Sequence, residues 1–233
     1  KRLHRVIYGA FFIYRRNKMR VFNVYNETQV QQMVDHIRQL EFKDGKDTAS
    51  GSAKDIKQNY QITQEVKAAA PVFNDIRKLF FEDGMLSKYT TAKEVISPRV
   101  ASYKEGGYYG WHVDMAVMNQ KRTDMSFTLM LSDGFEGGEL EMDFGDMRKT
   151  VKLKKGQMVV YPTGVLHQVN PVTSGERLCV VGWLNCGVRD QEDREALFKM
   201  SYEINRLKQS VKDPSELNQL NYLLQHFRRK LMQ

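Results

Sequence analysis

Cysteine is nearly absent: Cys179 and Cys186 are the only two in 233 residues. Two cysteines make neither a disulfide framework nor the thiolate spacing of a zinc site. The chain must therefore fold by its own core, and its length is ample for that. Cys179 lies in the apolar run "LCVVGW" and reads as a small packed hydrophobe. The expectation from so little cysteine is a reduced, cytoplasmic protein. Long hydrophobic runs are missing too. The N-terminal apolar stretch, 6–14, has nine residues, against roughly twenty for a membrane-crossing helix. No small-residue cleavage site follows it, which argues against a signal peptide. Residues 1–18 fit a basic and apolar extension, lying on a surface, packed on the body, or upstream of a domain that opens at Met19 with "MRVFNVY".

Acid is missing from the first twenty residues, which hold seven Lys or Arg. Taking those seven from the net charge of +8 leaves +1 for residues 21–233. The body is nearly neutral, so the excess charge is not the footprint of a nucleic-acid surface. The basic tip Arg228-Arg229-Lys230 suits the negative end of a terminal helix. Histidine is scarce, at five residues, and there is no HExxH, internal repeat or low-complexity tract.

What is present divides into three patterns. "RVFNVY" (20–25) alternates as a strand, and Asn26 caps a helix whose face carries Val30, Met33, Val34, Ile37 and Leu40. His36 beside that stripe reads as packed or solvated. Residues 43–59 are polar and small, a loop long enough to border a site. A second helix is expected over 63–81, burying Val72, Phe73, Ile76, Leu79 and Phe80. From 95 to 188 the pattern changes to about eight short strands between Gly, Pro, Asn and Asp turns, which suggests a double-sheet jelly roll or barrel. Two helices close the chain, near 190–209 and from Asp213-Pro214-Ser215-Glu216, a capping residue, an N1 proline and an N3 glutamate. The last helix carries Leu217, Leu220, Leu223, Leu224, Phe227 and Leu231 on one side. That stripe serves either core packing or a homodimer through the C-terminal helices.

The chemistry starts at "WHVDM" (111–115). On a strand, His112 and Asp114 point the same way. An HxD alone is weak. Downstream of it stand only His167 and His226, the latter on the terminal helix. His112, Asp114 and His167 make two histidines and a carboxylate, the facial triad of non-haem iron sites, with positions left open for substrates. Zinc accepts the same ligands. Arg177, ten residues after His167, opens the strand "RLCVVGWL". A cation on an apolar strand requires a partner, and its planar fork fits a carboxylate. A dicarboxylate cosubstrate could meet iron at one end and Arg177 at the other. The competing reading is a solvated strand start paired with Glu176.

In this order and spacing the motifs resemble the Fe(II)/2-oxoglutarate dioxygenases. "YKEGGYYGWHVD" is similar to the Y-x-x-G-x-x-Y-x-x-H-x-D pattern of the prolyl 4-hydroxylase branch, through Tyr103, Gly106, Tyr109, His112 and Asp114. "RTDMSFTLMLSD…GGELEM", "YPTGVLHQVNPVTSGER" and "WLNCGVRDQEDREALF" resemble the bacterial PKHD-type (PiuC-like) hydroxylases, over roughly 20–233. The resemblance implies an α+β fold: a double-stranded β-helix (jelly roll) over 95–188, with an N-terminal strand and supporting helices over 19–94 and a C-terminal helical hairpin over 189–233. It implies Fe(II) on His112, Asp114 and His167, and 2-oxoglutarate against Arg177. Tyr103 is expected to hydrogen-bond the cosubstrate. Thr128 is expected to add a second bond, with Ser126 and Met130 as alternatives for the inward position. Trp183, six residues after Arg177, is expected to wall the pocket. The nucleic-acid demethylating (AlkB-like) branch has a second arginine at that spacing, so Trp183 argues against nucleic acid as substrate. Tyr108, Tyr109 and Trp111 read as groove or packing residues.

The implied activity is hydroxylation of an unactivated C–H bond, on a peptidyl proline or a small molecule, with release of succinate and CO2. L-Ascorbate as reductant is implied by the prolyl hydroxylase likeness alone. Two other classes share the ligands: a zinc-dependent hydrolase, without an HExxH base to support it, and a β-helix binding module that has lost its metal.

Overall fold

A computed structural model describes residues 19–48, 54–82 and 84–232. The expectations for 1–18 therefore lie outside the described residues, as does the middle of the 43–59 segment. In chain order the elements are β1 (Arg20–Asn23), α1 (Glu27–Ile37), β2 (Lys43–Asp44), β3 (Lys57–Gln58), β4 (Tyr60–Thr63), α2 (Ala70–Phe81), α3 (Met85–Thr90), β5 (Ala92–Tyr103), β6 (Tyr108–His112), β7 (Val117–Met118) and β8 (Lys121–Arg122). There follow β9 (Met125–Met130), β10 (Glu136–Gly137), β11 (Leu140–Asp143), β12 (Arg148–Val151), β13 (Gln157–Pro162), β14 (Leu166–Val169), β15 (Val172–Ser174), β16 (Arg177–Cys186), α4 (Gln191–Leu207) and α5 (Asn218–Leu231).

Two antiparallel sheets face each other, the expected double-stranded β-helix. The larger runs β1-β13-β9-β16-β5-β4-β2 and the smaller β12-β11-β14-β6-β3. Strand alternation sorts the side chains. On β9, Met125, Phe127 and Leu129 face the helices, while Ser126, Thr128 and Met130 face the space between the sheets; all six are buried. That pattern belongs to a strand covered on both faces. Leu178, Val180 and Leu184 of β16 join Phe73, Ile76 and Phe80 of α2, Val30 and Ile37 of α1 and Phe198 of α4 in one core. Each such side chain contributes about 1.5–3 kcal/mol on burial. This core backs the larger sheet and holds its inner face rigid.

The local signals for α1 are borne out. Asn26 accepts from the Gln29 N–H at 2.9 Å, and the Gln29 side chain accepts from the Asn26 N–H at 3.0 Å, a reciprocal cap. The second helix starts later than expected. Residues 60–63 are the strand β4, paired with β5, and α2 begins at Ala70 with a proline in its first turn. There β5 offers an edge on which residues 60–63 pair as a strand. The terminal stripe is only half used: Leu217 and Leu224 are buried, and Leu224 joins Leu197 and Ile204 of α4. Leu220, Leu223 and Phe227 remain exposed. None of the described helices is long and apolar enough to cross a membrane.

Candidate active site

Two histidines far apart in sequence meet by strand pairing. β6 and β14 are neighbours in the smaller sheet, and their register sets His112 opposite His167. Asp114 arrives differently from what the motif suggests. β6 ends at His112, so Asp114 lies in the following loop and strand alternation does not aim it. Tertiary contacts do. The Ser126 hydroxyl donates to Asp114 Oδ2 at 2.9 Å, and the Trp183 indole N–H donates to the same oxygen at 2.8 Å. After the loop, Asn119 and Gln120 turn the β7–β8 hairpin with φ of 50° and 62°, the geometry of a two-residue hairpin turn.

The three side chains offer ligand atoms that all lie within 4.8 Å of one another. His112 Nε2 is 3.7 Å from Asp114 Oδ1, and His167 Nε2 is 3.7 Å from Asp114 Oδ2. His112 Nδ1 donates to the Gly110 carbonyl at 2.7 Å, and His167 Nδ1 to the Val165 carbonyl at 2.8 Å. With each Nδ1 proton committed to backbone, each Nε2 lone pair faces the centre. Burial, reinforced by the neighbouring His167, pushes His112 down to about 4, which keeps it neutral and able to ligate. Two imidazoles and one carboxylate, with hydrogen-bonded outer partners, fit a divalent ion of the iron or zinc kind.

The same cavity, about 690 Å³, contains Arg177, Tyr103, Thr128 and Trp183. Arg177 is 1% exposed. Its Nη1 donates to Cys179 Sγ at 3.0 Å, its guanidinium lies 5.1 Å over the Tyr103 ring, and its buried Nε has no hydrogen-bond partner. Glu176 does not pair with it. Glu176 precedes β16 and turns outward to Arg38 and the Ser102 hydroxyl. Gly138, at φ 65°, makes room: a Cβ there would lie 3.0 Å from Arg177 Cδ. A buried guanidinium without an acid is costly, and it fits a bound carboxylate.

Each remaining expected residue has a definite place. Tyr103 is buried, and desolvation raises its phenol, so it stays a neutral donor. Thr128 faces the cavity within hydrogen-bonding reach of Tyr161, whose phenol burial raises further. Thr128, Ser126 and Met130 share the inward face, and Ser126 is the one that touches Asp114. Trp183 lines the cavity and in addition holds the Asp114 carboxylate. Tyr109 stacks on His112 at 3.6 Å between ring centroids, while Trp111 lies under Arg148.

Sequence reading missed Lys57 and Arg99, which also line the cavity. Arg99 was findable by the logic applied to Arg177: it is a lone cation within "VISPRVASY", on the same strand face as Tyr103. Lys57 had no such signal, because it comes from a polar segment.

Trp183→Phe removes the indole N–H and keeps the ring. Iron affinity is expected to fall by about 10–100-fold, the usual cost of losing an outer partner, with the thermal midpoint little changed. A ferrous titration of both proteins reads this, and equal affinities would refute the orienting role of Trp183.

Comparison with known proteins follows the same line. The 2OG-Fe(II) oxygenase superfamily matches residues 98–185. A PKHD-type hydroxylase of Idiomarina loihiensis is 35% identical over 189 residues, covering 80% of this chain and 85% of that protein. One from Maricaulis maris is 39% identical over 175 residues, covering 72% and 80%. Among solved structures, a 2OG-Fe(II) oxygenase family oxidoreductase from Burkholderia pseudomallei superposes with TM-score 0.58 at 15% identity, over 72% of this chain and 85% of that one. A prolyl-4-hydroxylase from Pseudomonas putida gives 0.54 at 20%, over 73% and 94%. At such identities the structural likeness is one of fold.

Proposed function

This chain belongs to the PKHD-type hydroxylases of the 2OG-Fe(II) oxygenase superfamily, and from that premise we propose that His112, Asp114 and His167 hold its Fe(II), that Arg177 binds the far carboxylate of 2-oxoglutarate, and that the substrate is a peptidyl proline. The enzyme is an Fe(II)- and 2-oxoglutarate-dependent hydroxylase. Neither a zinc hydrolase nor a metal-free binding module is supported by its relatives. The observation that carries the reading is the pairing, in one cavity, of a His-Asp-His donor set with a buried guanidinium that has no acid.

When bound, iron and 2-oxoglutarate supply the oxidising chemistry: O2 and 2-oxoglutarate become succinate and CO2 as one oxygen atom enters a substrate C–H bond. The protein's part is position and environment. The backbone carbonyls of Gly110 and Val165 fix the imidazole tautomers. Ser126 and Trp183 hold the carboxylate, and leave the opposite side of the site to the reactants. Arg177 and Tyr103 close the inner end and fix one end of the diacid, which orients the other. Tyr161 and Thr128 line the wall of the same cavity.

Residues 95–188 then act as the catalytic core, with 19–94 and 189–233 as its support. Two free, buried cysteines fit a reducing compartment. Leu220, Leu223 and Phe227 are the residues that a homodimer through α5 would cover. The proline reading draws on a neighbour in fold, a Trichoplax adhaerens prolyl hydroxylase in complex with a hypoxia inducible factor peptide. Ascorbate as reductant draws on the same likeness.

The test is turnover with Fe(II), 2-oxoglutarate and a set of prolyl peptides. Succinate release coupled to the gain of one oxygen atom on proline is the expected outcome. Succinate release that no prolyl peptide accelerates would overturn the substrate assignment.

A further inference from the structure

The charges in the cavity do not balance with the groups placed so far. Fe(II) and Arg177 offset Asp114 and the 2-oxoglutarate dianion charge for charge. Lys57 and Arg99 are left over, in the same cavity. Neither forms an ion pair with an acid among the described residues.

Lys57 stands on β3 opposite Tyr109 of β6 and is 3% exposed. Its Nζ lies 5.1 Å over the Tyr109 ring and donates to Thr48 Oγ1 at 3.0 Å, one use of its three protons. Because Tyr109 is stacked on His112, Lys57 sits just behind that imidazole. Burial and the charge of Arg99 push its ammonium down to about 8. Arg99 enters from β5. Its guanidinium lies 4.9 Å over the Trp183 ring, and its Nε reaches the Ser97 carbonyl only at 3.5 Å. The acids whose fields reach these cations are Asp114, Asp44 and Glu65, and Asp114 is committed to the metal.

Arg99 lies away from the cosubstrate end, and the charges that reach Lys57 are those of Arg99, Asp114 and Asp44. Arg99 pairs with Val181, and Tyr103 with Arg177, in one unbroken register. Four residues of strand separate them, about 13 Å of backbone. Arg177 and Tyr103 mark one end of the cavity, and Arg99, Trp183 and Asp114 the other. Next to that second end the rim is apolar and open, with Val113, Met115 and Val117 each more than half exposed. An apolar rim with two uncompensated cations inside it suits an amphipathic molecule with one anionic group.

We propose that Lys57 and Arg99 recognise a carboxylate of the primary substrate and so determine which molecules present a C–H bond at this site. The inference rests on the iron-site reading above and adds the substrate class. The carboxylate has two sources, an acidic side chain in a peptide or the free acid of a small molecule or chain end. Both present the same planar oxygen pair to a guanidinium.

The experiment is calorimetry under argon on the full chain loaded with Fe(II) and 2-oxoglutarate. The probes are matched acid and amide pairs: acetyl-prolyl-glutamate amide against acetyl-prolyl-glutamine amide, and acetylproline against acetylprolinamide. At least one acid should bind about 30-fold or more tighter than its amide, the lower end for a desolvated charge pair. The pair that shows the preference identifies the source. Arg99→Gln and Lys57→Gln should each collapse the preference while keeping wild-type affinity for 2-oxoglutarate, and the two variants serve as mutual controls for folding. Equal binding of acid and amide, binding by none of the acids, or a variant that weakens 2-oxoglutarate instead would each overturn the proposal. Failure of the underlying reading looks different: the wild type would release no succinate with Fe(II), 2-oxoglutarate and O2. If matched leucyl acids bind as well as prolyl ones with the acid preference intact, the carboxylate site is supported and the proline assignment falls.

Discussion

Asp114→Ala is expected to abolish iron-dependent succinate formation, by more than the roughly 100-fold upper end for losing an outer partner alone. The carboxylate is the one anionic donor of the three, and its two oxygens face the two Nε2 atoms at 3.7 Å each. Without it, two neutral imidazoles remain, a pair that holds a divalent ion poorly. The alanine also strands the Trp183 indole N–H, at a cost of about 1–3 kcal/mol for a buried donor left unmet, while the Ser126 hydroxyl keeps Thr163 as an acceptor. Asp114→Asn separates the effects. Its amide oxygen can still accept both hydrogen bonds, so the fold should hold while the ligand charge is gone. Bound iron after gel filtration, and succinate per minute, are the measurements. An asparagine variant that keeps full iron content and turnover would remove Asp114 from the metal site.

Arg177→Met should separate function from stability. A buried cation facing a dicarboxylate contributes mostly through what its loss leaves unpaired. Truncating one partner of such a pair costs about 2–5 kcal/mol, so the 2-oxoglutarate dissociation constant should rise by about 30-fold or more. Iron binding should not change. Metal-free and cosubstrate-free, the methionine variant should melt at or above the wild-type temperature, because Arg177 is buried with an unpartnered Nε and no acid and an apolar chain of similar length relieves that cost. At 100 times its dissociation constant, 2-oxoglutarate should stabilise the wild type by about 2.7 kcal/mol, equivalent to about 2–4 °C per kcal/mol in a chain of this size. The variant should lose that shift. Unaltered cosubstrate affinity, or a large fall in melting temperature without ligand, would mean that Arg177 is structural.

These outcomes depend on residues that sequence reading reached by different routes. The two histidines and the arginine were visible as an order and a spacing, since a triad and a lone cation on an apolar strand each require an explanation. Arg99 satisfies the same rule, although it precedes the HxD motif in the chain. Asp114 does stand with the two histidines, but the local reason expected for it does not hold. Strand alternation was credited with aiming it, yet β6 stops at His112 and two side chains from β9 and β16 do the aiming. Trp183 was expected as a wall and is also a carboxylate partner. The helix expected from 63 begins at Ala70 instead, and Thr63 closes the strand β4, a short run with little periodicity whose form the open edge of β5 decides.

By itself the sequence determined the alternation of faces and the caps. Those follow from backbone geometry within a few residues. The inventory of ligands and the strand-rich middle followed likewise from residue type and spacing. The tertiary structure decided neighbours. His112 meets His167 because β6 lies against β14 in one register, and Lys57 reaches the cavity because β3 adds to the edge of β6. Alternation says which way a side chain points but not what it will face. That is settled by pairings between strands far apart in the chain, as Arg20 with Val160 and Tyr103 with Arg177, whose register is chosen by the packing of the whole core.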